Sequence, residues 1–365
     1  MVTEKILSEK ISEREILPDI LRGFAIILVV LGHCIQEGSG EAYRTESAYF
    51  SDRLYQFIYS FHMPLFMLIS GYLGWHSINK CGKKQERRNL LGRRAVTLLI
   101  PIFLWTALDY VRILIVNYAN GRPQPEALVF VYFYNALNNF WFLWAVWWCF
   151  LGIYVMHYHL KDNIIIYILV FLALFILPDG LGLGAYKYML PYYLAGYYVH
   201  GYMHHKGHVF EKSPAIWKIV VSGLVFAGLF VYYNEDILIY LTGYKLVGKN
   251  IARQLYIDIY RLLIGFAGSC FFIFAWQYII GCVGEINRAG KIKTEFRILR
   301  RLGSDSMGIY IISSYIIIFM IQRIGFINKP SYIFNIIETI VVLAVSLWMT
   351  IFIGKIPVLK KLIGK

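Results

Sequence analysis

Apolar runs long enough to cross a lipid bilayer recur from one end of this sequence to the other. A helix needs about 20 mostly apolar residues to cross the ~30 Å hydrocarbon layer, and runs of that length predict transmembrane helices. Hydropathy places ten spans, at residues 17–36, 54–75, 95–117, 138–156, 162–178, 186–203, 215–234, 256–283, 305–324 and 333–354. The sequence therefore predicts an all-α polytopic membrane protein with about ten transmembrane helices.

The composition excludes an ordinary soluble domain. Hydrophobic residues make up 58% of the chain and charged residues 16%, below the ~25% charged content of soluble domains. The net charge of +14 does not indicate nucleic-acid binding, because the basic residues lie in short loops between the apolar runs. The cysteines show neither a C-x-x-C pair nor metal-ligand spacing, so no metal site is expected. Residues 1–365 are predicted to form a single integral-membrane domain.

Lysine and arginine concentrate on one side of the predicted spans. They are frequent in the N-terminal segment 1–15, in the runs 80–94 and 288–301, and in the tail 355–365. Cytoplasmic loops of membrane proteins carry such an excess. We therefore predict that both termini are cytoplasmic, which agrees with an even number of spans. Segment 1–15 lacks the apolar core of a cleavable signal peptide, so the first helix is expected to stay in place.

The first span carries ionisable residues inside an apolar run. Asp19 and Arg22 stand near its start, spaced i, i+3 for a mutual ion pair, and His33 stands near its end. Arg22 and His33 are eleven residues apart, so they share one helix face about 16 Å apart. An ionisable group deep in a membrane indicates a functional site. The alternative is a structural histidine that forms its hydrogen bonds with a neighbouring helix.

Five motifs carry a family resemblance. They are D-x-x-R-G-x-A-I-x-x-V-V-x-x-H from Asp19 to His33, F-H-M-P-L-F-M-L-I-S-G-Y-L from Phe61 to Leu73, W-F-L at 141–143, L-P-Y-Y-L-A-G-Y-Y at 190–198 and L-G-S-D-S-M-G-I-Y at 302–310. In this order they resemble the acyltransferase 3 family of bacterial membrane acyltransferases. The resemblance implies a protein of the bacterial cytoplasmic (inner) membrane that moves an acyl group, most simply acetyl, from cytoplasmic acyl-CoA to a hydroxyl of a cell-envelope or exported glycan. Acetyl-CoA is then a co-substrate, no bound cofactor is implied, and the partners are a carbohydrate acceptor and the lipid bilayer.

The same resemblance makes His33 the catalytic histidine. The residue type supports the same role. Acyl transfer to a hydroxyl needs a base beside that hydroxyl, and a neutral imidazole can act as that base. His62 lies eight residues into the second span, about 12 Å down and at a depth comparable to His33. It is predicted to support the base or hold the acceptor, with packing before Pro64 as the alternative.

The donor site is predicted at the cytoplasmic edge. The resemblance gives Arg22 a role at the acyl-donor site, with Asp19 as its ion-pair partner, and a plain structural ion pair is the alternative. The family also carries an Arg-x-x-Arg pair shortly before a proline that is thought to engage the donor. This chain departs from that pattern, because Thr97 holds the second arginine position before Pro101. The remaining candidates are Arg88, Arg93 and Arg94, whose guanidinium groups suit the phosphates of coenzyme A. Topology and anionic-lipid contact are the alternative role for this basic run.

Three further residues complete the predictions. Asp109 is spaced i, i+3 from Arg112 in the third span, so a mutual ion pair competes with a role in orienting His33. Trp141 belongs to an aromatic cluster that could stack on an acceptor sugar or anchor the membrane interface. Ser313 stands where related sequences often have a histidine.

Two other function classes remain open at this point. A transporter or flippase of a lipid-linked glycan would also need buried charges, but the sequence shows no internal repeat of the kind that transporters carry. A structural partner in an envelope complex is the third class.

Overall fold

The fold is described from a computed structural model. It describes residues 16–124, 128–174, 176–177, 179, 183–205, 215–244, 250–286, 296–319 and 331–365. The predicted cytoplasmic segment 1–15 and residues 288–295 of the basic run lie outside the described residues.

Helices account for all the regular structure in these residues, and no strand occurs among them. Those of eight residues or more are α1 Ile16–Gly38, α2 Arg53–Asn79, α3 Lys84–Ala119, α4 Leu128–Asn138, α5 Trp141–Leu160, α6 Ile164–Leu174, α7 Leu183–His205, α8 Ile216–Val231, α9 Ile251–Ile286, α10 Arg297–Ser304, α11 Ser306–Phe319 and α12 Tyr332–Lys355. Short helical turns lie at Glu41–Thr45, Ala48–Ser51, Glu235–Ile237, Ile239–Thr242 and Leu359–Ile363. The predicted all-α class is confirmed.

Each of the ten predicted spans overlaps one of these helices. Six helices of the described chain, α1, α2, α3, α5, α9 and α12, are long and apolar enough to cross a membrane. The pair α10 and α11 adds a seventh if its 78° bend lies within one span, while α4, α6 and α8 are shorter apolar helices. A multi-pass membrane protein is therefore confirmed, whereas the count of ten and the orientation stay predictions.

Some element boundaries differ from the predicted ones. The basic run 83–94, which we predicted as a loop, forms the first turns of α3 and their cap. The fourth span begins at Trp141, because Phe140 adopts a left-handed φ of 53° that separates α4 from α5. The predicted basic tail folds back on the bundle at Leu359–Ile363, where Ile363 is buried and the carbonyl of Leu362 accepts a hydrogen bond from Trp105 Nε1 (2.8 Å).

Helix α2 lies at the centre of the bundle and packs most closely against α7. A Cβ built on Gly71 would lie 1.9 Å from the carbonyl oxygen of Tyr193, and one on Gly196 would lie 1.9 Å from that of Leu68. Only glycine permits such a backbone contact, as is typical of helix pairs in membranes. The two helices are thereby joined along their length.

Helices α1 and α2 run antiparallel, because Gly32 near the end of α1 meets the Tyr59 ring near the start of α2. The bundle therefore has two ends. We call them the Arg22 end, where α1 begins and α2 finishes, and the Glu37 end, where α1 finishes and α2 begins.

Candidate functional site

The two predicted histidines lie together toward the Glu37 end. The imidazoles of His62 and His33 are close enough to interact electrostatically. His62 is 2% exposed, and its Nδ1 lies 2.6 Å from the carbonyl oxygen of Ile58. A carbonyl only accepts, so Nδ1 carries the proton and Nε2 offers a lone pair. The His33 side chain is half-buried and forms no hydrogen bond with the residues that the structure describes.

A small aromatic cavity of about 20 Å³, enough for about one water molecule, adjoins the histidines. Its walls come from α2, α5, α7, α9 and the segment 233–240, and include Tyr59, Met63, Trp141, Tyr188, Tyr233 and Tyr240. Tyr59 connects the cavity to the histidines, since its ring meets that of His62 edge-on with centroids 4.8 Å apart. Aromatic rings with polar hydroxyls suit a ligand with both apolar and polar faces.

Arg261 of α9 holds the segment that covers this cavity. Its Nε donates to the carbonyl of Ile237 (2.7 Å), its Nη1 to the carbonyl of Gly243 (3.0 Å) and its Nη2 to Thr242 Oγ1 (2.6 Å). Nη1 also pairs with Asp258 at 2.9 Å, and Arg261 is 2% exposed. We did not predict this residue as part of a site. The available signal was an arginine within an apolar run, three residues after an aspartate.

At the Arg22 end, Asp19 and Arg22 form the predicted ion pair. Asp19 is buried, and Arg22 is half-buried with its Nε enclosed and without a hydrogen bond to the described residues. Helix α10 crosses here, with its Gly303 against the carbonyl of Asp19. The guanidinium of Arg22 is thus held in place by its aspartate, and one of its donors remains unused.

The arginines of α3 divide into two faces. Arg94 donates to Ser77 Oγ (3.1 Å) and lies over the ring of Phe150, 5.4 Å from its centroid. One face therefore points into the bundle. Arg88 and Arg93 are exposed on the other.

Arg87, which we did not predict, shares the inward face with Arg94. Its guanidinium lies 4.3 Å from the ring centroid of Tyr158. The two arginines are seven residues apart, which is two helical turns. That spacing would have identified Arg87 if the run had been recognised as helical.

The structure pairs Asp109 with Arg112, the alternative that its spacing offered. Its carboxylate accepts a hydrogen bond from Arg112 Nε (2.8 Å), and the pair lines a groove with Trp105 and Phe319. No contact between Asp109 and His33 occurs among the described residues.

The two departures from the family pattern lie in packed positions. The carbonyl of Thr97 approaches Gly364 of the folded tail. Ser313 is fully buried and donates to the carbonyl of Tyr310 in its own helix (3.2 Å). Neither side chain is placed with the histidine pair.

The described residues contain no group of three or more His, Cys, Asp or Glu side chains that could hold a metal ion. Histidines and an aromatic cavity therefore lie toward one end of the bundle, and half-buried arginines toward the other. About 16 Å of α1 connects them.

Comparison with known proteins supports an acyltransferase. The family model described as "Acyltransferase domain" matches residues 16–355. Nodulation protein NolL of Sinorhizobium fredii is 37% identical over 135 residues, which cover 37% of this chain and 34% of that protein. Nodulation protein NolL of Mesorhizobium japonicum is 29% identical over 187 residues, which cover 51% of this chain and 48% of that protein.

These two matches span less than half of either relative's length. No solved structure matches the chain. The family match is broader, because it covers almost all of the chain and includes both helices that carry the histidines. On that match, this chain belongs to the acyltransferase 3 family, the family that its five motifs resemble.

Proposed function

We propose that this protein is a membrane O-acyltransferase that moves an acetyl group from acetyl-CoA to a hydroxyl of a cell-envelope or exported glycan. The observation that supports this most is the pair of histidines, His33 and His62, beside an aromatic cavity whose wall residue Tyr59 contacts the His62 ring. We further propose ten membrane spans, both termini in the cytoplasm and residence in the bacterial inner membrane.

In the proposed reaction His33 is the general base. Its imidazole takes the proton of the acceptor hydroxyl while that oxygen attacks the thioester carbon of acetyl-CoA. The carbon–sulfur bond breaks, and the proton passes to the leaving CoA thiolate. His62 supports the step, because its Nδ1 is held by Ile58 and its Nε2 can accept a hydrogen bond from His33 or from the hydroxyl.

The donor lies at the Arg22 end in this proposal. Arg22, positioned by Asp19, and the inward-facing Arg87 and Arg94 hold the CoA phosphates, for which guanidinium groups are suited. The exposed Arg88 and Arg93 add positive charge that attracts the anionic donor.

The acceptor sugar packs against the aromatic side chains around the cavity, toward the Glu37 end. Trp141 forms part of the cavity wall, and its ring meets Tyr240 edge-on with centroids 6.3 Å apart. Aromatic faces can pack on the apolar face of a sugar ring, while the tyrosine hydroxyls bond to sugar hydroxyls. The pantetheine arm of the donor then spans the ~16 Å of α1 between Arg22 and His33.

A test is the release of free CoA by the purified protein. The probes are acetyl-CoA alone, with water as acceptor, and acetyl-CoA with a panel of p-nitrophenyl glycosides. We expect His33→Ala to lower CoA release about 100-fold or more, the usual contribution of a positioned base, with normal insertion and expression.

The matched control is His159→Ala, since His159 is exposed at the end of α5. Activity of His33→Ala within a few-fold of the control would contradict the assigned base. A wild-type protein that moves glycan and releases no CoA would support the flippase alternative.

A further inference from the structure

A histidine and an arginine meet at the ring of Tyr158, at the Arg22 end of the bundle. Tyr158 lies near the end of α5, and its hydroxyl donates to the carbonyl of Ile78 at the end of α2 (2.6 Å). The guanidinium of Arg87 on α3 lies 4.3 Å from the centroid of this ring. The ring of His157 meets it edge-on, with centroids 4.7 Å apart. Three helices therefore bring two cationic residue types to one place.

The imidazole of His157 is oriented by Asp162. Its Nδ1 is bonded to the Asp162 carboxylate, and because a carboxylate only accepts, Nδ1 carries the proton. The other nitrogen, Nε2, has no hydrogen-bond partner in the described part of the chain and is not enclosed by it. Of the His157 side chain 20% is exposed. The ring is thus fixed on one side and open to a ligand on the other.

Arg87 also keeps hydrogen-bond donors for a ligand. Its Nη2 donates to the carbonyl of Gly82 (2.8 Å), which holds the guanidinium in place. Its Nε is buried and forms no hydrogen bond with the described residues. The carboxylate of Glu86, which also lies near Tyr158, accepts from the backbone nitrogen of Lys83 (3.1 Å) as a cap of α3. An anionic ligand would therefore find unused donors on both cationic side chains.

A ladder of aromatic rings relates this place to Arg94. Three rings of α5 follow one another at four-residue intervals, with successive centroids 6.0 and 4.8 Å apart: Phe150, Tyr154 and Tyr158. Arg94 lies over the first ring and Arg87 over the last. The two arginines are about 10 Å apart along α3, and Arg87 is in its first turn, nearer the edge of the bundle.

This order matches the order of groups in the donor. In the proposed arrangement the pantetheine arm runs inward toward His33, so the diphosphate that ends this arm lies outside it. The 3′-phosphate, on the ribose, lies further out again. Arg94 is then placed for the diphosphate, and His157 with Arg87 for the 3′-phosphate.

A purely structural role would use only the Nδ1 side of His157. That bond joins α5 to the turn at Asp162, which also accepts from Tyr167 and Tyr197. It explains neither the open Nε2 nor the arginine at the same ring.

We propose that His157 and Arg87 bind the 3′-phosphate of coenzyme A, a proposal that rests on the function proposed above. A phosphate monoester carries a charge of about −1.5 to −2 and three acceptor oxygens, so it can accept from both side chains at once. With Nδ1 bonded to Asp162, the proton on Nε2 is taken up from water as the anion binds. The site selects free acyl-CoA over thioesters on a pantetheine arm without this phosphate.

The test compares acetyl-CoA with acetyl-dephospho-CoA, which lacks only the 3′-phosphate, as donors in the assay of thiol release. The main variant is His157→Asn, whose amide nitrogen can replace Nδ1 as donor to Asp162 but which has no group in place of Nε2. We expect it to raise the KM for acetyl-CoA about tenfold, with kcat unchanged, because it loses a charged hydrogen bond. The KM for acetyl-dephospho-CoA should not change.

The arginines should separate in the same way. Arg87→Gln should raise the KM for acetyl-CoA alone, whereas Arg94→Gln should raise the KM for both donors. The matched control is His159→Asn, since His159 is exposed two residues further along α5 and should affect neither. An equal effect of His157→Asn on both donors would overturn the proposal in favour of a structural role.

An anionic lipid headgroup is the other source of phosphate at this edge. The same variants in nanodiscs of phosphatidylcholine, with and without phosphatidylglycerol, distinguish the two sources. An effect of His157→Asn that requires phosphatidylglycerol and ignores the 3′-phosphate would assign the site to lipid and overturn the proposal.

Calorimetric binding of CoA and dephospho-CoA separates this proposal from the function on which it rests, because binding needs no turnover. A wild-type protein that binds CoA more tightly through His157, but releases none from acetyl-CoA, would contradict the function and keep the site. A wild-type protein that releases CoA without any preference for the 3′-phosphate would contradict the site alone.

Discussion

A single backbone contact defines the chemistry that His62 can offer. Because the carbonyl of Ile58 accepts from Nδ1, the ring presents Nε2 as a fixed acceptor toward its surroundings. His33 has no such partner among the described residues and remains available for a substrate hydroxyl. At the scale of the residue, the difference between the two histidines is thus one hydrogen bond, and it supports the assignment of His33 as base and His62 as support.

The arginines of α3 offer a matched comparison of binding roles. We expect Arg87→Gln with Arg94→Gln to raise the KM for acetyl-CoA about tenfold or more, because each charged hydrogen bond is worth about 1.5–3 kcal/mol. The measurement is the steady-state rate of CoA release against acetyl-CoA concentration.

The control pair is Arg88→Gln with Arg93→Gln, which removes the same charge from the exposed face of the same helix. This pair should change KM only slightly, and the change should disappear at high salt. Equal effects of the two double variants would show that only the total charge of α3 matters.

At the scale of the element, the turn between α5 and α6 holds three helices together. Lys161 and Asp162 both have left-handed φ values, 53° and 54°, which cost side-chain-bearing residues about 1–2 kcal/mol each. Asp162 compensates, because its carboxylate accepts from His157 Nδ1 (2.5 Å), Tyr167 (2.9 Å) and Tyr197 (3.2 Å). The last of these belongs to α7, so the turn fixes α5, α6 and α7.

This turn predicts a pH-dependent contribution to stability. Burial alone raises the pKa of the Asp162 carboxyl, but its hydrogen bonds outweigh burial and the pKa lies below the usual 3.8. The stabilisation is therefore complete above the unfolded-state value near 3.9 and is lost as the pH falls through the lower folded-state value. Asp162→Asn should cost about 1–3 kcal/mol at neutral pH and should flatten this dependence.

Thermal unfolding in detergent between pH 3 and pH 7 measures both effects. The control is Asp236→Asn, whose carboxylate is 51% exposed and pairs with the exposed Arg253. If Asp236→Asn destabilised the protein as much as Asp162→Asn does, the turn would have no special role.

The sequence predicts what depends on apolar length and helix register. Each of the ten predicted spans overlaps a helix of the described chain, although only six or seven helices are long enough to cross a membrane. The proximity of His33 and His62 agrees with counting residues along antiparallel helices. Which arginines of α3 face inward depends on the residue at which that helix begins. We predicted the polar residues 83–94 as a loop, so the helical spacing of their arginines was not used.

Other features depend on tertiary contacts between distant segments. The cover over the cavity is held by Arg261, and the folding of the tail depends on Trp105. Hydropathy carries no information on either contact. The partner of Asp109 is a further example. Its spacing from Arg112 allowed an ion pair, but the sequence could not decide between Arg112 and His33 as the residue that its carboxylate contacts.

At the scale of the whole molecule, the residues proposed to bind the donor and those proposed to bind the acceptor lie at opposite ends of the bundle. With the proposed orientation, acetyl-CoA enters from the cytoplasm and the glycan hydroxyl from the outer side. Sealed proteoliposomes of one orientation should form product when acetyl-CoA faces the cytoplasmic side of the protein and an impermeant glycoside the other side. The readout is the amount of acetylated glycoside in each compartment.

The control exchanges the two substrates between the compartments and should give no product. Product formed only when both substrates are on the cytoplasmic side would contradict transfer across the membrane, whereas the role of His33 would be unaffected.

The seam between α2 and α7 has a consequence for how such a transfer can proceed. Gly71 and Gly196 place backbone against backbone, so the two helices cannot slide or part without losing contacts along the seam. Transporters that open alternately to each side rely on one part of the protein rocking against another. A bundle whose central helices cannot move apart favours a different mechanism. The protein stays rigid, and the flexible pantetheine arm of acetyl-CoA carries the acetyl group from one end of the bundle to the other.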